Sequence, residues 1–349
     1  MMLRVTETPD LTMSEKRKRP TLQDVADRVG VTKMTVSRYL KKPEQVSSVL
    51  QEKIQGALDE LGYIPNKVPD ILSSSKSHAI GVLVPSLTNQ VFAELIRGFE
   101  SVTEPAGYQT MLAHYGYSQS AEEARIATLL GYNVDGLILS ESFHTERVRR
   151  MIKTAGVPVI EVMDSISPAI EQAIGFDNEA AAFAMTELMI ERGHRNTVYF
   201  AARMDARTRL KIQGYERAMR KHGLEPFSLQ TEQASSFTRG ALLLRQALEQ
   251  HKDLDGIFCT NDDLAVGAFY ECQRQGIAVP QQIGIAGFHG HDIVSAMVPR
   301  LATVVTPREE MGRLAAENLL ARLQGKPVNR SVIDLPFRLE PGESLRSAS

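Results

Sequence analysis

The chain has 349 residues, of which 43% are hydrophobic and 23% are charged. This length excludes one ordinary domain, and the apolar content suffices for a large buried core, so we expect at least two domains. The formal net charge is −2, but residues 15–42 hold nine Lys and Arg against three Asp and Glu, which leaves about −8 on the rest of the chain. A basic end on an acidic body indicates that the body itself does not bind nucleic acid.

Cysteine usage and hydropathy bound the protein class further. Cys259 and Cys272 lie in apolar surroundings and outside any metal-type spacing, so we expect small core residues without a redox or zinc role. No secretory signal opens the sequence, and no apolar run approaches the length that a bilayer requires. The expected location is therefore the cytoplasm, in association with the nucleoid.

The N-terminal region carries the strongest local pattern. Residues 1–18 are polar and aperiodic and end in a run of Lys and Arg, which predicts a disordered basic tail. A short amphipathic helix should follow, with Thr21 as its N-cap and with Asp24, three residues later, as the second member of a capping box. Gly30 can end that helix in the left-handed conformation, and Thr32 can cap a second one. Two short helices joined by a Gly-containing turn are typical of a helix-turn-helix, although a solvated helical hairpin is the alternative.

A third helix should close a small domain over residues 19–66. Ser47 or Ser48 can cap it, an apolar stripe runs along it to Leu61, and Gly62 can end it.

The stretch over residues 21–40 resembles the helix-turn-helix of the LacI/GalR family of bacterial repressors. The positions that match the family signature are Asp24-Val25-Ala26, Gly30-Val31 and Thr35-Val36-Ser37-Arg38. The resemblance implies base contacts from Lys33, Met34 and Arg38, and each good base contact is worth ~1–3 kcal/mol of discrimination. The hydroxyl-bearing residues that it places near phosphates are Thr32, Thr35 and Ser37. The complete set of predicted DNA contacts is Thr21, Thr32, Lys33, Met34, Thr35, Ser37, Arg38, Asn66 and Leu72.

Residues 67–78 have the composition of a linker but include Ile71 and Leu72. The resemblance implies a hinge helix that folds on the operator, with Leu72 wedged into the minor groove so that the DNA kinks. Pro69 departs from the family pattern. Because proline tolerates only the first helical turn, the hinge helix should start at or just before Pro69. A plain flexible linker is the alternative.

The rest of the chain, 79–349, alternates short apolar runs with helical stretches, and the alternation restarts after Asp177. Strands that are hydrophobic on both faces and alternate with helices predict doubly wound parallel sheets, and two units of similar size imply two lobes. The fold class is therefore α/β, with an N-terminal three-helix domain. The resemblance implies a two-lobed effector-binding and dimerisation domain of the periplasmic-binding-protein type. It assigns roughly 79–176 plus 305–330 to the first lobe, and 177–304 plus 331–345, with a final strand near 331–335, to the second.

Polar loops follow several of the predicted strands, where ligands lie in open parallel sheets. The family resemblance places effector contacts in these loops and on the helix that carries Arg207 and Lys211. The predicted effector contacts are Ser86, Asn89, Gln90, Phe92, Ser140, Asp164, Arg207, Lys211, Asn261 and His289. For Asp262, capping of the helix that begins near Leu264 is the simpler interpretation.

Two positions in the expected cleft depart from the family pattern. Most relatives have an arginine where Lys211 falls and an aspartate where His289 falls. An imidazole in place of an acceptor carboxylate, with cations kept at Arg207 and Lys211, removes negative charge, so the cleft should prefer an acidic ligand. His289, His291 and Asp292 lack a third well-spaced metal ligand and an adjacent nucleophile, so neither a metal site nor catalysis is expected.

Several segments resemble the branch of the family that responds to gluconate, namely 24–38, 62–73, 107–117, 258–267 and 286–292. We therefore expect a homodimeric repressor, with a tetramer left open, that binds a pseudo-palindromic operator in double-stranded DNA. Gluconate in the cleft should release it, without any cofactor or enzymatic activity. The first alternative is a response to another acid, such as idonate or ketogluconate, or to a sugar phosphate. The second, from a different class, is an enzyme that processes a sugar acid and carries a DNA-binding module.

Overall fold

The structure, a computed structural model, describes residues 19–66, 68–74, 76–165, 168–327 and 329–347, without the side chains of residues 70 and 72. The basic tail predicted over residues 1–18 lies outside these ranges, and so does the side chain of Leu72. The chain divides into two units, Met1–Ser75 and Lys76–Ser349. The division falls within the segment that the sequence predicts as a hinge.

The N-terminal unit is built from short helices, α1 (Leu22–Val29), α2 (Lys33–Lys41), a 3-10 turn (Pro43–Gln45), α3 (Ser48–Leu61) and α4 (Val68–Ser74). Thr21 begins α1, because its hydroxyl accepts from the N–H of Asp24 while the Asp24 carboxylate accepts from the Thr21 N–H at 2.7 Å. Gly30 ends α1 with a φ of +77°, and the Thr32 hydroxyl accepts from the N–H of Thr35 to cap α2. These local signals confirm the predicted helix-turn-helix.

The third and fourth helices also begin where the sequence predicts them. Ser47 is the N-cap of α3, and Gly62 ends that helix with a φ of +60°. Helix α4 begins at Val68, so Pro69 lies in the first turn, where its missing N–H removes no helical hydrogen bond. The core of the first three helices is closed by the fully buried side chains of Val25, Ala26, Val36 and Ile54.

The first lobe of the larger unit is a six-stranded parallel sheet with helices on both faces. Its elements are β1 (Ala79–Val84), α5 (Val91–Thr103), β2 (Gln109–His114), α6 (Gln119–Gly131), β3 (Gly136–Leu139), α7 (Glu146–Ala155), β4 (Val159–Asp164), β5 (Gln172–Phe176), α13 (Arg308–Leu323) and β11 (Val332–Asp334). The strand order is β2-β1-β3-β4-β5-β11. Strands β1, β3, β4 and β5 are buried along their whole length, which confirms the doubly wound fold.

The second lobe repeats this plan. Its elements are α8 (Asn178–Glu191), β6 (Thr197–Ala202), α9 (Ala206–Lys221), β7 (Phe227–Thr231), α10 (Phe237–Gln250), β8 (Gly256–Cys259), α11 (Asp262–Gln275), β9 (Gly284–His289), α12 (Asp292–Ala296), β10 (Ala302–Val305) and β12 (Arg338–Glu340). The strand order is β7-β6-β8-β9-β10-β12, and the pairing of β10 with β12 is antiparallel.

Helix α13 returns to the first lobe, as the family resemblance implies. It packs against α5 at a close crossing where each helix contributes a glycine. A Cβ atom on Gly98 would lie 2.0 Å from the carbonyl oxygen of Glu309, and one on Gly312 would lie 2.0 Å from that of Leu95. Only glycine allows the two backbones to approach this closely.

The expectation that the final strand near residues 331–335 belongs to the second lobe is wrong. That strand is β11, and it pairs in parallel with β5 of the first lobe, Val332 opposite Ala173. The physical reason is that α13 packs on the first lobe, so the chain that follows this helix emerges beside the unpaired edge of β5. The chain reaches the second sheet only with β12, where Glu340 lies opposite Thr303.

Both cysteines are fully buried in the apolar core of the second lobe, which confirms that Cys259 and Cys272 are core residues. Burial raises the pKa of the Cys272 thiol to about 12, so it stays protonated and inert. Across the described residues, none of the helices combines the length and apolar character that crossing a membrane requires.

Candidate ligand cleft and nucleic-acid surface

The outward face of α2 is basic and exposed. Lys33, Met34 and Arg38 all project into solvent, and the Met34 side chain is 70% exposed. Thr35 and Ser37 are half-buried beside them. A narrow face that combines two cations, hydroxyls and one flexible apolar side chain is chemically suited to the phosphates and base edges of a major groove.

The remaining predicted DNA contacts have local structural roles. Thr21 is engaged in the cap of α1, and the Asn66 side-chain oxygen accepts from the N–H of Val68 at 3.0 Å, at the start of α4. Arg28 of α1 forms an exposed ion pair with Glu60 of α3. The DNA contacts of all nine predicted residues stay predictions.

A narrow cleft with a cavity volume of about 40 Å³ lies between the lobes of the larger unit, at the carboxyl ends of both sheets. Six of the predicted effector contacts line it, Asn89, Phe92, Arg207, Lys211, Asn261 and His289. The other wall residues are Val91, Tyr117, Met163, Ala202, Arg203, Asp205, Thr208, Ser235 and Thr260. Because Asp205 and Asn261 are N-caps, the positive ends of α9 and α11 open onto the same space.

Four predicted effector contacts do not line this cleft. Ser86 accepts from the N–H groups of the turn that follows it, and the Ser140 hydroxyl donates to a buried carbonyl of β1 at 3.0 Å. Gln90 is exposed at the start of α5. Asp164 is buried and accepts from Asn178 at 2.7 Å. These residues shape the loops around the cleft.

Sequence reasoning missed Arg203, Asp205 and Tyr117. Arg203 and Asp205 follow the carboxyl end of β6, so the rule that predicts polar residues after strands would have found them. No comparable signal singles out Tyr117, because its approach to the second lobe depends on how the two lobes pack.

Arg207 connects the lobes. Its guanidinium donates to the Ser140 carbonyl at 2.6 Å and lies 3.6 Å from the Asp164 carboxylate. Burial raises the pKa of Asp164 to about 6, and Arg207 opposes that shift. Burial alone would lower the pKa of Arg207, but Glu141 and Asp164 outweigh it and raise that pKa. The Arg207 charge is therefore balanced inside the protein.

Lys211 lies deeper in the cleft. Its ammonium donates to the Thr260 carbonyl at 3.1 Å, lies 3.3 Å from Nε2 of His289 and sits 3.8 Å from the centroid of the Phe288 ring. Burial lowers the pKa of Lys211 to about 7. Burial, and then Lys211, lower the pKa of His289 well below its usual value, so His289 is neutral and can accept from the amine. Near pH 7 Lys211 is thus only partly charged.

The interpretation of Asp262 as a helix cap is wrong. The cap is Asn261, whose side-chain oxygen accepts from the Leu264 N–H at 3.2 Å, so Asp262 is already helical. Its buried carboxylate accepts from the His291 N–H and the Thr303 hydroxyl, each at 2.7 Å. Burial raises the pKa of Asp262 to about 7. The helix begins two residues before its apolar pattern does.

The residues that the structure describes contain no group of three or more His, Cys, Asp or Glu side chains placed to hold a metal ion. His291 and Asp262 approach only to 4.0 Å.

Comparison with known proteins matches each unit separately and the whole chain. Residues 21–66 match the model of bacterial regulatory proteins of the lacI family, and residues 186–345 match a periplasmic binding protein-like domain. The HTH-type transcriptional regulator GntR of Escherichia coli K12 is 60% identical over 330 residues, which cover 95% of this chain and 100% of that protein. The regulator IdnR of the same organism is 43% identical, over 94% of this chain and 99% of its own. A crystal structure of a LacI-family regulator from Silicibacter pomeroyi superimposes with a TM-score of 0.87 at 31% identity, covering 94% of this chain and 100% of that one.

Proposed function

The chain belongs to the LacI family of bacterial regulatory proteins, and from that membership we propose that it represses gluconate utilisation genes and leaves its operator when gluconate fills the cleft. The observation that carries the proposal is the 60% identity to the regulator GntR over 95% of the chain. The 43% identity to IdnR keeps a second sugar acid, idonate, as the alternative effector.

On the DNA side, two copies of the helix-turn-helix would occupy the two half-sites of a pseudo-palindrome, one copy from each protomer of a homodimer. Lys33, Met34 and Arg38 would read base edges, and the hydroxyls of Thr32, Thr35 and Ser37 would face phosphates. Leu72 would open a base step in the minor groove. The exposed basic face of α2 and the helical form of α4 support these roles.

On the effector side, only differential affinity is needed. Arg207 already joins the second lobe to Ser140 and Asp164 of the first, so a ligand in the cleft would contact both lobes at once. Such a ligand favours one arrangement of the lobes over the other. Each lobe arrangement would set a different spacing between the two hinge segments of the dimer, and one spacing no longer fits both half-sites.

The protein would act by binding, in the cytoplasm where its DNA lies, and we assign it no reaction and no cofactor. The polar groups in the cleft are placed for hydrogen bonds to a polyhydroxy acid.

The test is a titration of gluconate into the full-length protein on an operator fragment, with the melting temperature of the free protein measured in parallel. We expect operator affinity to fall and the melting temperature to rise with gluconate concentration. Idonate, ketogluconate and glucose 6-phosphate, run in the same way, test the alternative effectors. If gluconate changes neither quantity, the proposed effector is wrong.

A further inference from the structure

Arg203 is a cation on the wall of the cleft that no carboxylate neutralises. Its guanidinium donates to the Tyr117 hydroxyl at 3.0 Å and lies 4.8 Å from the centroid of the Tyr117 ring. Among the described residues, none places a carboxylate oxygen within 4.0 Å of it. Burial raises the pKa of the Asp263 carboxyl, and the positive charge of Arg203 opposes that shift. The contacts of the Arg203 guanidinium are therefore with neutral groups.

The other two cations of the cleft are already held by the protein. Arg207 is balanced by Asp164 and bound to a backbone carbonyl. Lys211 is enclosed by a carbonyl, an imidazole and an aromatic face, and its burial disfavours the charged form. An incoming anion would have to compete with Asp164 for Arg207, whereas Arg203 offers a permanent charge and a planar fork of donors without such competition.

The backbone fixes where Arg203 points. Arg203 has a φ of +52° and Tyr117 a φ of +61°, so both adopt the left-handed conformation that side-chain-bearing residues rarely take. Such conformations cost on the order of 1–3 kcal/mol and persist where the surrounding structure requires them, often at ligand sites. The N–H of Arg203 also donates to the Gln233 carbonyl, which holds the turn after β6.

Arg203 and Tyr117 stand at the entrance of the cleft. They line the inner cleft and also an adjoining outer cavity of about 400 Å³, whose wall includes Gly116 and Glu232. Lys211, Asn261 and His289 line the inner cleft. A ligand held at its acid end by Arg203 would therefore extend its remaining groups toward these three side chains.

We propose that Arg203 binds the carboxylate of the acid effector, with the Tyr117 hydroxyl as a second donor, and that Arg207 and Lys211 do not. This assignment rests on the proposed function and names the residue that makes the cleft select acids over neutral polyols. The guanidinium would bind the carboxylate through two parallel hydrogen bonds. The Tyr117 hydroxyl, which accepts a hydrogen bond from Arg203, would donate a hydrogen bond to the same carboxylate.

The experiment compares gluconate with gluconamide, its neutral counterpart, by calorimetry on the full-length protein. Wild type should prefer gluconate. Because hydrogen bonds to a charged group are worth about 1.5–3 kcal/mol, Arg203→Gln should weaken gluconate binding roughly 10- to 100-fold and change gluconamide binding by no more than about threefold. The matched control is Arg209→Gln, since Arg209 lies on α9, the helix that follows the Arg203 turn, but is exposed to solvent. This control should leave both affinities near the wild-type values.

Two further variants separate charge from geometry and from folding. Arg203→Lys retains the charge without the fork, so the preference for gluconate should fall to an intermediate value. Tyr117→Phe removes one neutral hydrogen bond, worth about 0.5–1.5 kcal/mol, and should weaken gluconate binding two- to tenfold, roughly. If Arg203→Gln does not fold, as judged by its melting temperature, these two variants carry the test.

Lys211→Gln tests the claim that Lys211 does not bind the carboxylate. This variant should weaken the binding of gluconate and of gluconamide by similar factors. The assignment is overturned if Arg203→Gln keeps the wild-type preference for the acid, or if Lys211→Gln alone abolishes that preference. If wild type binds gluconate and Arg203→Gln still prefers gluconate over gluconamide as strongly as wild type does, the result contradicts this assignment but not the proposed function. A wild-type protein that binds no sugar acid contradicts the proposed function and this assignment together.

Discussion

The outward face of α2 and the wall of the cleft are both polar and cationic, but their charged side chains differ in burial and in internal contacts. The side chains of Lys33 and Arg38 are exposed to solvent, and the described residues give neither side chain a hydrogen bond or ion pair within the protein. Arg207 and Lys211 are buried and already bonded to protein groups, whereas Arg203 is half-buried and contacts the hydroxyl and ring of Tyr117. A face that meets a large polyanion can leave its side chains in water. A small-ligand cleft must hold its side chains in place beforehand, so residue type alone does not tell which cation is available.

A cluster in the first lobe shows the extreme of internal pairing. Nδ1 of His144 lies 2.8 Å from Glu122 and Nε2 lies 3.2 Å from Glu161, with all three side chains at most 1% exposed. Burial alone would lower the pKa of His144, but its contacts with the two carboxylates outweigh burial and raise it to about 9. The imidazolium is thus enclosed by its partners and offers no face to a ligand.

The largest expected effect comes from breaking this cluster. His144→Gln leaves two buried carboxylates without a cation, and loss of one member of a buried ion pair costs about 3–5 kcal/mol of unfolding free energy. Urea denaturation at pH 7 measures the loss. The matched control is His114→Gln on the exposed side of β2, where we expect a change within about 0.5 kcal/mol.

The same cluster predicts a pH dependence. Because the pKa of His144 is raised from 6.5 to about 9, its contribution to stability is complete below pH 6.5 and is lost as pH rises through 9. Wild-type stability should therefore fall between pH 6.5 and 9 by an amount that His144→Gln does not show. Parallel curves for the two proteins over this range would contradict a charged His144.

Much of the fold follows from local sequence signals. Thr21, Gly30 and Thr32 act within a few residues of the chain, and for that reason the two short helices and the turn between them can be predicted from spacing. Pro69 likewise limits where α4 can begin. The placement of β11 depends instead on which sheet edge α13 leaves open, and a short strand such as Val332–Asp334 fits either edge. Such long-range choices have no local signature.

The features of the cleft likewise divide into those that the sequence predicts and those that it does not. The position of polar residues at the carboxyl ends of strands is a property of the fold class. Together with the family resemblance, it predicts six residues that line one cleft. The pairing of Arg207 with Asp164 joins two lobes, and the approach of Arg203 to Tyr117 does too. Neither pairing can be read from spacing, and these pairings decide which cation a ligand can use.

The next prediction concerns Lys211, a buried amine whose charged form is disfavoured by burial. Lys211→Met should raise the unfolding free energy by about 2–4 kcal/mol at pH 6, since a depressed pKa is a stability cost of ~1.4 kcal/mol per unit. The pKa of Lys211 falls from 10.5 to about 7, so the cost is complete below pH 7 and disappears as pH approaches 10.5. The gain should therefore shrink at pH 9. Lys252→Met, on an exposed lysine, should show neither effect, and an unstable Lys211→Met would mean that the amine supports the cleft.

The smallest expected effect on the fold, and the clearest on DNA, comes from Arg38→Ala. Arg38 is exposed, so its removal should change the unfolding free energy by no more than about 0.5 kcal/mol. Loss of a two-bond contact to guanine should weaken operator binding by ~1–3 kcal/mol per half-site and narrow the gap between operator and scrambled DNA. Lys33→Ala is the comparison. If Lys33 contacts a phosphate, Lys33→Ala should lower the affinity for operator and for scrambled DNA by the same factor, and it should reduce the salt dependence of binding. Equal discrimination by Arg38→Ala and wild type would mean that this face of α2 does not read the bases.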